Sequence, residues 1–230
     1  MKFSFNHLLA ILIVFITACN SNPKQEEEKT TDKEVEEKVT EKEEQQNNII
    51  FFGNSLTAGY GVEAEEAFPG LIQKRLDSLG YDYNVINAGV SGETTASGLS
   101  RVEWVVKRQP VEIFVLELGG NDGLRGIEPQ ETNKNLRAII DKVREIHPDV
   151  KILLAGMMVP PNMGQSYASE FQELYPKIAK EKNVNRIPFL LKDVGGEAEL
   201  NLPDGIHPTP EGHKIVAETV WNHLQEILEK

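Results

Sequence analysis

From residue 48 to the end, short apolar runs alternate with longer stretches of helical periodicity, and that pattern leaves few folds open. Parallel strands need a crossover of about a dozen residues, which a helix supplies, so the alternation predicts repeated βα units on a parallel sheet. Five runs read as strands, at 49–52, 84–87, 113–118, 152–155 and 185–189. Helical patterns occupy 69–79, 94–107, 132–146, 167–182 and 210–228. In the third, Leu136, Ile139, Ile140, Val143 and Ile146 share one face; Thr132 reads as its cap and Pro148 as its stop. The expected architecture is an α/β fold, a three-layer α/β/α sandwich with a five-stranded parallel sheet. A chain of 230 residues, 40% of them hydrophobic, can bury one sizeable core, so a single domain over 48–230 is expected.

The first 47 residues have a different character. Lys2 precedes an apolar run from Leu8 to Ile16, shorter than the roughly 17 to 25 residues of a spanning helix, and residues 1–18 read as a signal peptide. Ile16-Thr17-Ala18-Cys19 resembles a bacterial lipobox, which predicts cleavage before Cys19 and lipid attachment there; the alternative is an ordinary cleavage site beside an incidental cysteine. Each buried CH₂ of an acyl chain contributes about 0.8 kcal/mol, so a multiply acylated terminus holds to a membrane. Residues 19–47 are polar and acidic, with too little apolar surface to offset their ordering entropy, and are expected to form a disordered stalk.

The net charge of −12 offers no basic footprint for phosphate, so nucleic acid is excluded as a partner. With Cys19 as the lone cysteine, neither an internal disulfide nor a cysteine-based zinc site can form.

Ligands of open parallel sheets bind beyond the carboxyl ends of the strands, and four polar blocks fall there. The first, Gly53-Asn54-Ser55-Leu56-Thr57-Ala58-Gly59-Tyr60-Gly61, follows the first strand and can present the Ser55 hydroxyl; it is not the G-x-S-x-G elbow, because Thr57 stands at the second glycine. The second, Asn87-Ala88-Gly89-Val90-Ser91-Gly92-Glu93-Thr94, offers a backbone N–H at Gly89 to a developing oxyanion. The third, Gly119-Gly120-Asn121-Asp122, offers the Asn121 amide. In the fourth, Asp204-Gly205-Ile206-His207-Pro208, a carboxylate three residues before a histidine can orient one ring nitrogen and leave the other free to take a serine proton. His147, His213 and His223 lack such a partner and read as solvated helix faces.

These blocks, in this order, with the run Leu118-Gly119-Gly120-Asn121-Asp122-Gly123-Leu124-Arg125-Gly126, resemble the SGNH (GDSL-like) hydrolase superfamily, nearest its periplasmic acyl-CoA thioesterase, lysophospholipase and arylesterase group. The resemblance runs from about residue 48 to 228. It implies a flavodoxin-like sheet, a nucleophile at Ser55, a general base at His207 oriented by Asp204, and an oxyanion hole of the Ser55 and Gly89 N–H groups with Asn121. It further implies small esters or thioesters as substrates, no metal and no cofactor; a monomer is expected. The family's first block is usually Gly-Asp-Ser-Leu, and Asn54 replaces the aspartate here. Asn has nearly the same shape, so the turn is expected to survive while the charge and hydrogen bonding behind the nucleophile change.

Met157, Met158, Val159, Pro160, Pro161 and Met163, with Tyr60 and Leu124, could line a permissive acyl groove, or in part be core. Two other functions fit the same residues: an O-acetylesterase of cell-envelope carbohydrate, and a noncatalytic envelope-binding lipoprotein.

Overall fold

The computed structural model describes residues 47–229. The expected signal peptide, Cys19 and the expected stalk lie outside the described residues.

Five parallel strands, β1 (Asn48–Gly53), β2 (Asn84–Gly89), β3 (Ile113–Glu117), β4 (Lys151–Ala155) and β5 (Asn185–Ile187), form one sheet in the order β2-β1-β3-β4-β5. The helices are α1 (Ser55–Ala58), α2 (Phe68–Ser78), α3 (Thr95–Val106), α4 (Gly120–Leu124), α5 (Pro129–Ile146), α6 (Gln165–Lys182) and α7 (Pro210–Leu224). The chain steps one way from β1 to β2, then crosses back over β1 to add β3, β4 and β5. Because such crossovers are right-handed, this reversal sends α2 to one face and α3, α5 and α6 to the other. The packing agrees: α5 lies against α3 and α6, and α2 against α7. Every residue of β1 and β3 is buried, as expected of central strands covered on both faces, whereas the edge strand β2 is partly exposed.

Several expected boundaries shift, each for a local reason. The helix expected to start at Thr132 starts at Pro129, where proline's fixed φ suits the first helical position and its missing N–H has no partner to lose. Thr132 is instead fully buried within that first turn. The last strand stops at Ile187, because Pro188 has no N–H to extend the ladder. The last helix ends at Leu224, and two short helices, α1 and α4, occupy the turns after β1 and β3.

Candidate active site

Register brings the site together. Gly53, the last residue of β1, pairs with Gly89 of β2 on one side and Glu117 of β3 on the other. The first three blocks therefore leave the sheet side by side at the point where strand order reverses, which is where a crevice opens in such folds.

After Gly53 the chain turns at once into the four-residue α1. The Asn54 side chain caps it, accepting from the Leu56 N–H at 2.9 Å, and Gly59 ends it in the left-handed region. Ser55 is its first residue, so its N–H lies among the donors a helix leaves unpaired. Two glycines make the arrangement possible. A Cβ at Gly53 would lie 2.5 Å from Glu117 Oε2, and one at Gly61 would lie 2.5 Å from Leu202, where the fourth block comes down onto the first.

The loop carrying the fourth block is pinned at both ends. Asn201 bridges Pro208, and the Leu202 N–H donates to the His207 carbonyl at 2.7 Å. Within it Asp204 Oδ1 accepts the backbone N–H groups of Ile206 and His207, while Oδ2 lies 2.7 Å from His207 Nδ1. His207 Nε2 lies 2.8 Å from Ser55 Oγ, across 152 positions of sequence. The hydrogen bond from His207, then those from the Ile206 and His207 backbone, hold the Asp204 carboxyl down at about 2. The ring of Tyr60, half exposed, lies 4.5 Å from that of His207.

The groups expected to line an oxyanion hole are arranged differently from the expectation. The Gly89 N–H already donates to Asn87 Oδ1 at 2.9 Å, so it is not open to a ligand. Gly89 is a glycine for another reason: a Cβ there would lie 2.2 Å from the Ala58 nitrogen, so β2 reaches α1 only without a side chain. Asn121 Nδ2 donates to the Glu93 carbonyl at 3.0 Å and Arg125 to the Gly92 carbonyl at 2.9 Å, which draws the segment around Gly92 against Asn121. Gly92 has φ +79, and its N–H, like that of Ser55, has no hydrogen-bond partner among the described residues.

Buried charges brace these loops. Asp122, fully buried, accepts the Thr95 N–H at 2.9 Å and the Thr95 hydroxyl, joining the third block to the start of α3. Arg101 of α3 pairs with Glu93, donates to the Ala88 carbonyl at 2.8 Å and covers the Phe52 ring at 4.0 Å. Glu117 Oε1 accepts from Asn54 Nδ2 at 2.6 Å; Oε2 accepts the Asn54 N–H at 3.0 Å and the Thr57 hydroxyl at 2.8 Å. Burial pushes the Glu117 carboxyl up to about 7, against the pull of those donors. Sequence reasoning missed Glu117, Arg101 and Gly92. The signal for Glu117 was an acid inside an otherwise apolar strand.

Two further expectations need correction. His213 is 1% exposed, not solvated: its Nδ1 accepts the Phe68 N–H at 3.2 Å, and burial pushes the imidazole down to about 4. His147 Nε2 and His223 Nδ1 also have partners, the Val106 and Thr219 carbonyls. Of the residues suggested for an acyl groove, Met157 is core, while Met158, Tyr60 and Leu124 are exposed. A cavity of about 390 Å³ is lined by Met158, Val159, Gln165, Ala168, Ser169 and Gln172, and no residue of the Ser55–His207–Asp204 chain lines it.

A hydroxyl, an imidazole and a carboxylate hydrogen-bonded in series at the carboxyl edge of a doubly wound sheet define the class, a serine hydrolase. Residues 51–215 match the GDSL-like lipase/acylhydrolase family. Esterase TesA of Pseudomonas aeruginosa is 37% identical over 78% of this chain and 89% of its own length. Thioesterase 1/protease 1/lysophospholipase L1 of Escherichia coli (strain K12) is 35% identical over 78% and 84%. The crystal structure of AlinE4, an SGNH-hydrolase family esterase, is 38% identical, superposes with a TM-score of 0.66, and matches 80% of this chain and 98% of that one. The chain belongs to the GDSL-like lipase/acylhydrolase family.

Proposed function

We propose that the protein is a secreted, lipid-anchored esterase or thioesterase, monomeric, that cleaves acyl esters through an acyl-enzyme on Ser55. A neutral hydroxyl is a weak nucleophile near pH 7, so attack on the carbonyl needs a base at the hydroxyl. His207 Nε2 takes the Ser55 proton as Oγ bonds to the carbonyl carbon. Asp204, ionised down to about pH 2, holds the imidazole by Nδ1 and stabilises the imidazolium. The tetrahedral oxyanion accepts from the Ser55 N–H, the Asn121 amide and the Gly92 N–H, which replaces Gly89 in that role. The intermediate then collapses: the C–O or C–S bond breaks, and the leaving alkoxide or thiolate takes the proton from Nε2. Water, deprotonated by the same nitrogen, attacks the acyl-enzyme and releases the acid and Ser55.

The 2.8 Å contact between His207 Nε2 and Ser55 Oγ carries this reading. The relatives' names, an esterase and a thioesterase/lysophospholipase, support the bond type. The half-exposed Tyr60 beside His207, with Leu124 and Met158 also exposed, favours an open acyl site of broad chain-length tolerance. Secretion and anchoring rest on residues 1–18 and Cys19, with 19–47 as the tether. Turnover of p-nitrophenyl esters of graded chain length tests the substrate class, with Ser55→Ala beside it. Ser55→Ala is expected to lose both turnover and labelling by a fluorophosphonate; a folded variant that still labels rules out Ser55. Acetate release from glycans without turnover of longer esters would move the substrate to acetylated carbohydrate.

A further inference from the structure

Behind the nucleophile lies a carboxylate that no step above employs. Glu117 closes β3, is 1% exposed, and spends its acceptors on the turn that carries Ser55. Asn54, the residue before the nucleophile, gives it a backbone N–H and an amide N–H, and Thr57, two residues after the nucleophile, gives its hydroxyl and its backbone N–H. Asn54 in turn caps α1 through the Leu56 N–H, so one side chain joins the buried carboxylate to the helix on which Ser55 sits. Gly53 has no side chain because a Cβ would strike this cluster, 2.1 Å from Thr57 Oγ1 and 2.5 Å from Glu117 Oε2. The pairing is chemically directional. Asn54 Nδ2 donates to Glu117 Oε1, where an aspartate would present a second carboxyl group, and two carboxyls at that distance do not both ionise. Asn54 therefore donates to Glu117 without competing with it for a proton.

We propose that Glu117 is a positioning residue for acyl transfer, holding the Ser55 hydroxyl in line with His207, and that Asn54 and Glu117 act as a matched amide–carboxylate pair. This rests on Ser55 being the nucleophile. Misplacing a reacting atom by about 1 Å can cost a hundredfold in rate, so a turn held by hydrogen bonds to one buried group is where such a loss would originate.

Exchanging the pair tests this. Glu117→Gln sets an amide against the Asn54 amide; kcat on p-nitrophenyl acetate should fall roughly 10- to 100-fold, with KM little changed and the fluorophosphonate labelling rate falling in step. Asn54→Asp alone, which opposes two carboxyls, should also be impaired. Asn54→Asp combined with Glu117→Gln restores one amide and one carboxylate in exchanged places, and should recover kcat well above either single variant. The proposal is overturned by Glu117→Gln turning over within about twofold of the parent, by a loss that only tracks the folded fraction in urea titrations, or by a double variant no better than the worse single one. Should Glu117→Gln fail to fold, Thr57→Val decides: it keeps the shape and removes one donor. A drop in kcat of about three- to tenfold at constant KM supports the proposal, and an unchanged kcat refutes it. Ser55→Ala is run in parallel, since a labelled Ser55→Ala defeats the nucleophile assignment, whereas a silent one with an unaffected Glu117→Gln defeats this inference alone.

Discussion

At the residue scale, the roles around Ser55 are unequal, and kinetics should separate them. In the proposed mechanism Asn121 offers a hydrogen bond that strengthens only as charge develops on the carbonyl oxygen, so Asn121→Ala should lower kcat by about a hundredfold with an unchanged circular dichroism spectrum. Turnover equal to the parent's would exclude it from the oxyanion hole. Asp204 acts on His207 rather than on substrate. Asp204→Asn removes the acceptor that selects the imidazole tautomer and should cost roughly 10³- to 10⁴-fold in kcat. Its carboxyl, held at about 2 by the hydrogen bond from His207 and by two backbone donors, stays ionised through the neutral and mildly acid range.

At the element scale, the site is a consequence of how closely elements approach. The carboxyl end of β2 lies against the backbone of α1, with Gly89 at the contact. Gly89→Ala must push β2 and α1 apart, and overpacking of this kind costs about 1–3 kcal/mol, read as a lowered urea midpoint. Turnover should fall as well, since α1 carries Ser55. A variant with parent stability would mean that the two elements can separate freely. The short α1 and α4 were not legible in the sequence: each spans little more than one helical turn, too short to show a recurring apolar face. The longer α5, with its apolar stripe, was legible, and only its start was misplaced, because Pro129 competes with Thr132 for the role of first-turn marker.

At the scale of the whole molecule, two buried groups tilt stability with pH in opposite directions. His213 has its imidazole at about 4 in the folded chain against 6.5 when unfolded, so between those values the unfolded chain binds more protons and acidification destabilises the fold. Glu117 sits at about 7 against 4.5, so over that interval the folded chain binds more protons and stability falls as pH rises. From about pH 4.5 to 6.5 the two slopes oppose each other, and a nearly flat profile is expected. His213→Gln retains an acceptor for the Phe68 N–H but removes one slope. Relative to the parent, it should gain on the order of 2 kcal/mol on going from pH 7 to pH 5, measured by urea denaturation at both. A difference between parent and variant that does not change with pH would show that His213 is not held neutral.

The buried state of His213 illustrates what a linear pattern does not contain. Its place on α7 suggested water, but the helix face it occupies is chosen by packing against Phe68, 145 positions away. The strands, the order of the four blocks, and Ser55, Asp204, His207 and Asn121 as candidates were readable because hydrophobic period and short motifs are local properties of the chain. Tertiary structure alone decided that Gly89 is a close contact with its N–H already spent, that Gly92 has a free N–H beside Asn121, and that Glu117 faces Asn54. Each of these depends on which backbone and side-chain groups from distant segments come within hydrogen-bond or van der Waals range. That follows from strand register and crossover direction, which are settled only when the whole sheet forms.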